Sequence, residues 1–589
     1  MISDRPSVID DNKLRFDSFI SDKKPLFDGR KRRLPAMGWN SWNAFGSGNT
    51  EELTKAMVNK IKELELYKYG YEYIVLDDGC YRPERVDGRL QSDPVKFPSG
   101  FKAMADFVHG NGLKFGMYND IGTKLCSGAE VGIYGYEKTD CEDYIRWDID
   151  FIKVDNCYYM WDNATFAAPE NAKYSYAPNI RSIEVAGGFY SAVKDAIITG
   201  TRAEVKDDYV TFIGTFDGTG PENSPTGLRS SELIFDVLAP DAGEYDLIVT
   251  YATGAEEGVG QWLQIAVNDE MIFDDLMAET ESKDDFRSSE PFKVTLESGV
   301  NTIRLMNHRR QENTLHSYAE IKRELINAGG DRDIVFSICE WGKTQPHDWG
   351  NKVGNSWRIL NDITFQVGSD GDHGTAAWES DYTTSITSQY NKAVIMDEYA
   401  GLDFGWNDPD MLVIGMDGID MTMNISHMAM WCMLNSPLML GLDLRRVSKG
   451  DEIFDLITNE DLIALDQDAL GIQAKRIFTT YECDDPALSY IRDNDRIDVL
   501  AKPLAGGDIA LGFFNLSTSE KTLDKKIDVD LILQKIGFKM EDAARFKDAS
   551  SYSVKDLFTK ETKSVDEKVF SVPALPGCGC KVLRITPVA

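Results

Sequence analysis

The stretch FIKVDNC, Phe151 to Cys157, decides the fold. Apolar and β-branched residues give way abruptly to a polar end, the pattern of a short buried strand. Side chains alternate along a strand, so Lys153, Asp155 and Cys157 point one way and Ile152 and Val154 the other. An ordinary barrel strand aims Val or Leu at the core. This one aims an ammonium, a carboxylate and a thiol in one direction at its C-terminal end, where a parallel α/β barrel keeps its chemistry. The plainer alternative is a structural Lys153–Asp155 ion pair, and the stretch alone does not choose between the two.

Its neighbours do. LPAMGWNSWNAF (34–45) ends a first strand with Trp39 and Trp42 nearby. Asn49 with Glu52 reads as a capping box opening a helix through Leu53, Met57, Ile61 and Leu64. YEYIVLDDG (71–79) is a second strand ending in Asp77 and Asp78, and LKFGMYND (113–120) a third with Tyr118 and Asp120 at its end. Helical stretches separate them, which predicts βαβ units and a parallel sheet. A doubly wound sheet gathers its functional residues at one switch point. Here every strand ends in polar or aromatic residues, which suits a (β/α)8 barrel whose strand ends ring one pocket.

The alternation stops after residue 160. From 178 to 312 short β runs with turn residues follow one another, the pattern of an antiparallel sandwich. The helical texture returns with NTLHSYAEIKRELINAGG and a barrel strand with DIVFSICEW. The sequence therefore predicts an N-terminal extension (1–33), a barrel in two parts (34–177 and 313–470) interrupted by an inserted β-sandwich (178–312), and a C-terminal antiparallel β-sandwich domain (471–589). KIDVDLIL within the last is read as a strand. Trp406 is read as core packing.

The 589 residues carry a formal net charge of −34, with 42% hydrophobic and 27% charged residues. That is the composition of a globular protein of several domains. The negative field disfavours nucleic acid and anionic membranes. No run of about 18 apolar residues appears. The N-terminus lacks the basic and apolar regions of a signal peptide, so a cytoplasmic location is expected. Nine cysteines at irregular spacings suggest neither a zinc ribbon nor a dense disulfide framework. Cys578 and Cys580 are expected to be two thiols. There is no phosphate loop, no GxSxG elbow and no paired-histidine metal motif. Many carboxylates, an aromatic platform and a few cations suit a sugar pocket, and two further carboxylates suffice for glycoside hydrolysis.

GWNSWNAFG, YIVLDDG, GRLQSDPVKFPSG, LKFGMYND, FIKVDNCY, FSICEWG, NSWR with Asp362 four residues after Arg358, GWNDPDML and SPLMLGLDLR occur in that order. Together they closely resemble the α-galactosidases of glycoside hydrolase family 27, over roughly 34–160 and 313–470 and more loosely at the C-terminus. The resemblance implies a retaining exo-α-galactosidase acting on terminal α-galactosides of oligosaccharides, without cofactor or metal. It implies Asp155 as nucleophile and Asp362 as general acid/base. Asp77 and Asp78 would bind O4 and O6, and Lys153 would contact O3 and O4. Glu340 and Arg358 would lie near the 2-hydroxyl, with Trp42, Tyr118 and Met411 as walls. Asp410 would border the pocket and orient other groups. Cys157 would lie beside the sugar, bridged to Cys126. A nearby ammonium such as Lys153 is expected to keep the nucleophile ionised. The insertion resembles carbohydrate-binding modules of the family 6 and 35 type; the alternative is a sandwich that only shapes the cleft. Glu340 disfavours an α-N-acetylgalactosaminidase, whose relatives carry a small Ser there. Asp78 disfavours a β-L-arabinopyranosidase. A sugar-binding protein on an inactive barrel would require loss of Asp155 or Asp362. A homo-oligomer is left open.

Overall fold

A computed structural model describes residues 25–28, 31–159, 173–174, 176–200, 203–214, 231–254, 258–363, 378–379, 385–572 and 574–588. Eight short strands form one parallel sheet in sequence order: Met37–Asn40, Tyr73–Val75, Lys114–Asp120, Phe151–Asp155, Val335–Cys339, Ser356–Arg358, Trp406–Asp408 and Leu438–Leu440. The last pairs back onto the first, Met37 opposite Leu438. A parallel bridge between Leu412 and Leu440 joins the seventh-strand segment to the eighth and closes the barrel.

The alternation read in the fourth strand is present. Ile152 and Val154 sit in the large core between barrel and helices. Phe151 instead belongs to a small interior layer with Tyr73, Val75, Val335, Met411 and Met439. Lys153 faces the same interior, where a cavity of about 30 Å³ is lined also by Asn40, Arg358, Asp408 and Asp410. The strands are three to seven residues long, and Asn40, Arg358 and Asp408, which line this cavity, are the last residues of theirs. Trp406 is buried, as expected, and its indole donates to the carbonyl of Arg33 at 3.1 Å.

Three local expectations need correction. The first helix, Glu51–Glu63, is capped by Thr50, whose side chain accepts from the Leu53 N–H at 3.2 Å. Asn49 lies one residue too early and pairs with Thr54 instead. KIDVDLIL is a strand for only two residues, Ile527–Asp528. Asp528 then accepts from the Leu531 N–H at 2.7 Å and starts the helix Val529–Lys535. An N-capping carboxylate followed by Val529 and Ile532 at helical spacing outweighs the β-branched composition. Trp42 begins a short helix, Trp42–Phe45, rather than ending the strand.

Between the fourth and fifth barrel strands lie two antiparallel sheets. One holds Glu270–Leu276, Trp262–Val267, Gly299–Met306, Glu232–Ala239 and Ile197–Thr199; the other is built on Asn179–Val185 and Gly243–Ala252. They enclose a hydrophobic cluster of their own. The last of these strands ends at Met306, and the helix Arg309–Gly329 leads back to the barrel.

C-terminal to the barrel, a six-stranded antiparallel sheet runs in the order Lys475–Thr479, Ile497–Pro503, Ile509–Asn515, Cys580–Val588, Ser551–Asp556, Thr562–Val565. It is tied to the barrel helix Ile386–Ala393 by a buried charge cluster. Asp498 accepts from Arg496 Nε at 3.0 Å, Arg476 at 3.2 Å and the Tyr390 hydroxyl at 3.1 Å. Arg496 also donates to Asn391 at 2.6 Å. Burial pushes the Asp498 carboxyl up, and the two guanidiniums more than offset this, holding it below the usual range. Asp498→Ala leaves two buried guanidiniums uncompensated, and loss of one partner of such a cluster costs about 3–5 kcal/mol. Urea unfolding is expected to show a lower midpoint for the C-terminal transition. An unchanged midpoint would mean that the cluster adds nothing to stability.

Candidate active site

The pocket is assembled from the C-terminal ends of the barrel strands. Asn40 ends the first and donates to Asp77 Oδ2 at 2.8 Å. Lys153 Nζ reaches the same oxygen at 2.8 Å, so it forms its ion pair with Asp77. Asp77 Oδ1 accepts from the Asp78 N–H at 2.9 Å. Asp78 is held from the loop after the third strand: the Ser127 N–H donates to Oδ2 at 2.7 Å and the Ser127 hydroxyl to Oδ1 at 2.9 Å. Burial raises the Asp78 carboxyl, and the Ser127 bonds oppose the rise.

Asp155 ends the fourth strand. Its Oδ1 accepts from the Asn156 N–H at 2.9 Å and its Oδ2 from the Tyr118 hydroxyl at 3.1 Å. Tyr118 also lies 3.2 Å from Cys126 Sγ. Cys126 and Cys157 are joined in a disulfide, with Cα atoms 5.2 Å apart. Cys80, Cys578 and Cys580 are free thiols. The Cys157 N–H donates to Asp120 Oδ2, and the Gly122 N–H to Asp120 Oδ1, each at 2.6 Å. Among the described residues, Asp120, Cys126, Asp155 and Cys157 bring potential metal-ligand atoms together. Joined sulfurs offer no thiolate, so this donor set does not fit a metal ion.

Arg358 ends the sixth strand and holds two carboxylates. One terminal nitrogen contacts Asp362 at 2.9 Å and the other Asp410 at 2.8 Å. Arg358 and Asp410 are buried, whereas the Asp362 side chain is 43% exposed. Asp410 has a φ of +76°, a conformation uncommon outside glycine. It is fixed there by the Ile363 N–H on Oδ2 at 2.7 Å and the Met411 N–H on Oδ1 at 2.8 Å. Burial raises the Asp410 carboxyl, with Arg358 opposing. Burial lifts Asp408 below it to about 6. Glu340 follows the fifth strand and is fully buried; the Thr344 N–H and hydroxyl donate to its Oε2 at 2.9 and 2.8 Å.

The structure thus brings together Asp77, Asp78, Tyr118, Lys153, Asp155 and Cys157 on one side and Arg358, Asp362 and Asp410 on the other. Trp42 is half-buried against the interior layer. The expectation that Lys153 keeps Asp155 ionised meets a stronger opposing effect. Burial raises Asp155 to about 7; Lys153 lowers it, and the charge of Asp362 raises it again. Sequence reading missed Asn40, Ser127, Thr344 and Lys343. Lys343 is buried and donates to the Asn156 carbonyl, next to the nucleophile candidate. Adjacency to Cys126 was a usable signal for Ser127. For Lys343 no local pattern exists.

A barrel whose strand ends carry this many carboxylates, with the charge of Asp362 raising the Asp155 carboxyl, has the equipment of a glycoside hydrolase. A family model described as alpha galactosidase A matches residues 34–185 and 294–468, and one for the alpha galactosidase C-terminal beta sandwich domain matches 494–585. The chain belongs to this alpha-galactosidase family. It is 26% identical over 561 residues to alpha-galactosidase A of Cellvibrio japonicus, covering 94% of this chain and 92% of that one. An alpha-galactosidase of Cyamopsis tetragonoloba is also 26% identical, over 94% of this chain and 87% of its own. The solved alpha-galactosidase of Saccharomyces cerevisiae shares the fold at a TM-score of 0.59 and 20% identity, covering 96% of this chain and 100% of that one. The gap in the barrel match, 186–293, falls within the inserted sheets.

The raised Asp155 carboxyl has a kinetic signature. The acid limb of kcat/KM reports the free enzyme. In the nucleophile role the resemblance implies, Asp155 has to be ionised, so activity is expected to be lost as pH falls through its raised value. The limb is expected near pH 7. A limb at the ordinary carboxylate value of about 4 would show that burial does not govern Asp155.

Proposed function

We infer that the chain is a retaining exo-α-galactosidase that releases terminal non-reducing α-D-galactosyl residues from oligosaccharides. The observation that supports this reading is that Asp155 and Asp362 are near enough for the charge of Asp362 to raise the Asp155 carboxyl, with Asp155 buried and bonded by the Asn156 N–H and the Tyr118 hydroxyl, and Asp362 43% exposed and held by Arg358. Asp155 attacks the anomeric carbon while Asp362 protonates the departing glycosidic oxygen, which forms a covalent galactosyl-enzyme. Asp362 then takes a proton from water as the water attacks that carbon and frees Asp155. Burial suits the nucleophile, since it is poorly solvated before attack and neutral once esterified. Exposure suits the acid/base, which in each cycle gives its proton to the leaving oxygen and takes one back from water.

The remaining side chains bind and orient. Asp77 and Asp78 take the O4 and O6 hydroxyls, Lys153 the O3 and O4 edge, and Glu340 with Arg358 the 2-hydroxyl. Trp42, Tyr118 and Cys157 form walls. Asp410, locked by Arg358, fixes that guanidinium. The buried bulk of Glu340 leaves no room for an acetamido group, which disfavours the N-acetylgalactosaminidase reading. The two bonds from Ser127 keep Asp78 facing the C6 position, which disfavours the arabinopyranosidase reading. The inserted sheets are compatible with a carbohydrate-binding module.

Initial rates on chromogenic α-galactoside, α-N-acetylgalactosaminide and β-L-arabinopyranoside are expected to favour the first by at least about 100-fold, the scale of a lost charged hydrogen bond plus steric exclusion. Comparable rates on either of the others would overturn the substrate assignment. Asp155→Asn is expected to fold and to lose activity by about 10⁴-fold or more, as removal of a nucleophile does. Proton NMR of a fresh reaction is expected to show α-galactose first. If β-galactose came first, the enzyme would invert and Asp155 would not be the nucleophile.

A further inference from the structure

The inserted sheets are joined to the barrel by fixed polar contacts, and these lead to the wall of the pocket. Glu232, Gln264, Arg304 and Asp274 lie on sandwich strands. Gln264 accepts from the His308 N–H at 2.7 Å and donates to Glu312 at 3.1 Å. His308 also meets Glu232 at 2.6 Å, and Arg304 contacts Glu232 at 2.6 Å. Burial pushes the Glu232 carboxyl up, but His308 and Arg304 pull it down to about 2. Arg309 lies 3.5 Å from Asp274. These contacts fix the first turn of the helix Arg309–Gly329 to the sandwich.

The same turn faces the barrel. Gln311 is buried, and its Nε2 donates to the carbonyl of Thr344 at 2.9 Å. The Trp349 indole donates to that carbonyl too, at 3.1 Å. Thr344 in turn supplies both donors on Glu340 Oε2. Two turns along the helix, the Tyr318 hydroxyl donates to the Val154 carbonyl at 3.1 Å, one residue before Asp155. Each link is buried, and a buried polar group that loses its partner does not simply turn to water.

We propose that the insertion, acting through Gln264, Gln311 and Thr344, positions Glu340 and so sets how strongly the enzyme discriminates at C2 of the sugar. In this role Gln311 is a positioning residue, and the sandwich serves selectivity whether or not it binds sugar itself. The proposal rests on the α-galactosidase reading, which puts Glu340 at C2. A carboxylate fixed from one side through Oε2 presents its other oxygen in one direction. A carboxylate released from Thr344 rotates and rewards the 2-hydroxyl less.

The test compares kcat/KM on an aryl α-galactoside and the matching 2-deoxy-α-galactoside for wild type, Gln311→Met and Gln264→Met. Both substitutions keep side-chain volume and remove the donor. The ratio of the two values from one preparation does not depend on how much of it is folded, so a partly misfolded variant still gives an answer. The 2-hydroxyl preference is expected to fall about tenfold in both variants, the size of one hydrogen bond to a charged group. The loss should fall on the galactoside, with the 2-deoxy substrate nearly unaffected. A wild-type ratio in both variants would overturn the proposal and leave the α-galactosidase reading standing. Failure of the wild type to cleave the α-galactoside would overturn that reading instead.

Discussion

One buried guanidinium holds the far wall of the pocket in place. Arg358 bonds Asp362 at 2.9 Å and Asp410 at 2.8 Å from its two terminal nitrogens. Planar, always charged and rigid, it fixes two carboxylates in a way a lysine could not. Across the barrel Lys153 holds a single carboxylate, Asp77. With both cations engaged, Asp155 lies among more carboxylates than cations. Burial is the main cause of its raised protonation value, the charge of Asp362 adds to it and Lys153 opposes it, so Asp155 is left poised between its two protonation states.

Strand ends supply these groups because a parallel barrel points all of its C-terminal ends at one place. That much was legible in the sequence: the alternation in FIKVDNC, the doublet Asp77–Asp78 and the pair Arg358–Asp362 all carry local patterns. What was not legible depends on partners distant in sequence. Ser127 on Asp78, Lys343 on the Asn156 carbonyl and Gln311 on the Thr344 carbonyl join segments that no periodicity relates. Local misreadings had local causes. Asn49 and Thr50 are both good caps, and only the backbone decides between them. At Asp528 a cap outweighed a β-rich composition.

The accessory parts attach by charge clusters as well as by apolar faces. The C-terminal sheet meets the barrel at Asp498, and the inserted sheets meet it at Glu232. In both, a buried carboxylate is overcompensated by two basic groups, so its pKa falls despite burial. Such clusters demand particular geometry, because an unpaired member is costly. They therefore specify one orientation of each accessory sheet on the barrel, which an apolar contact alone would fix less strictly.

The placement of the insertion also bears on how the chain reaches its fold. Strands four and five pair directly, Val335 beside Phe151, yet the whole sandwich lies between them in sequence. Closing so long a loop is entropically unfavourable and slow if the loop is open chain. The two ends of the insertion lie together, however: Asn307 donates to the Tyr174 carbonyl at 3.0 Å. A sandwich that condenses first, around its own apolar cluster, would deliver the two halves of the barrel to each other as if joined by a short turn. The order of assembly then runs against the order of synthesis, with the barrel's first half waiting on a structure encoded after it.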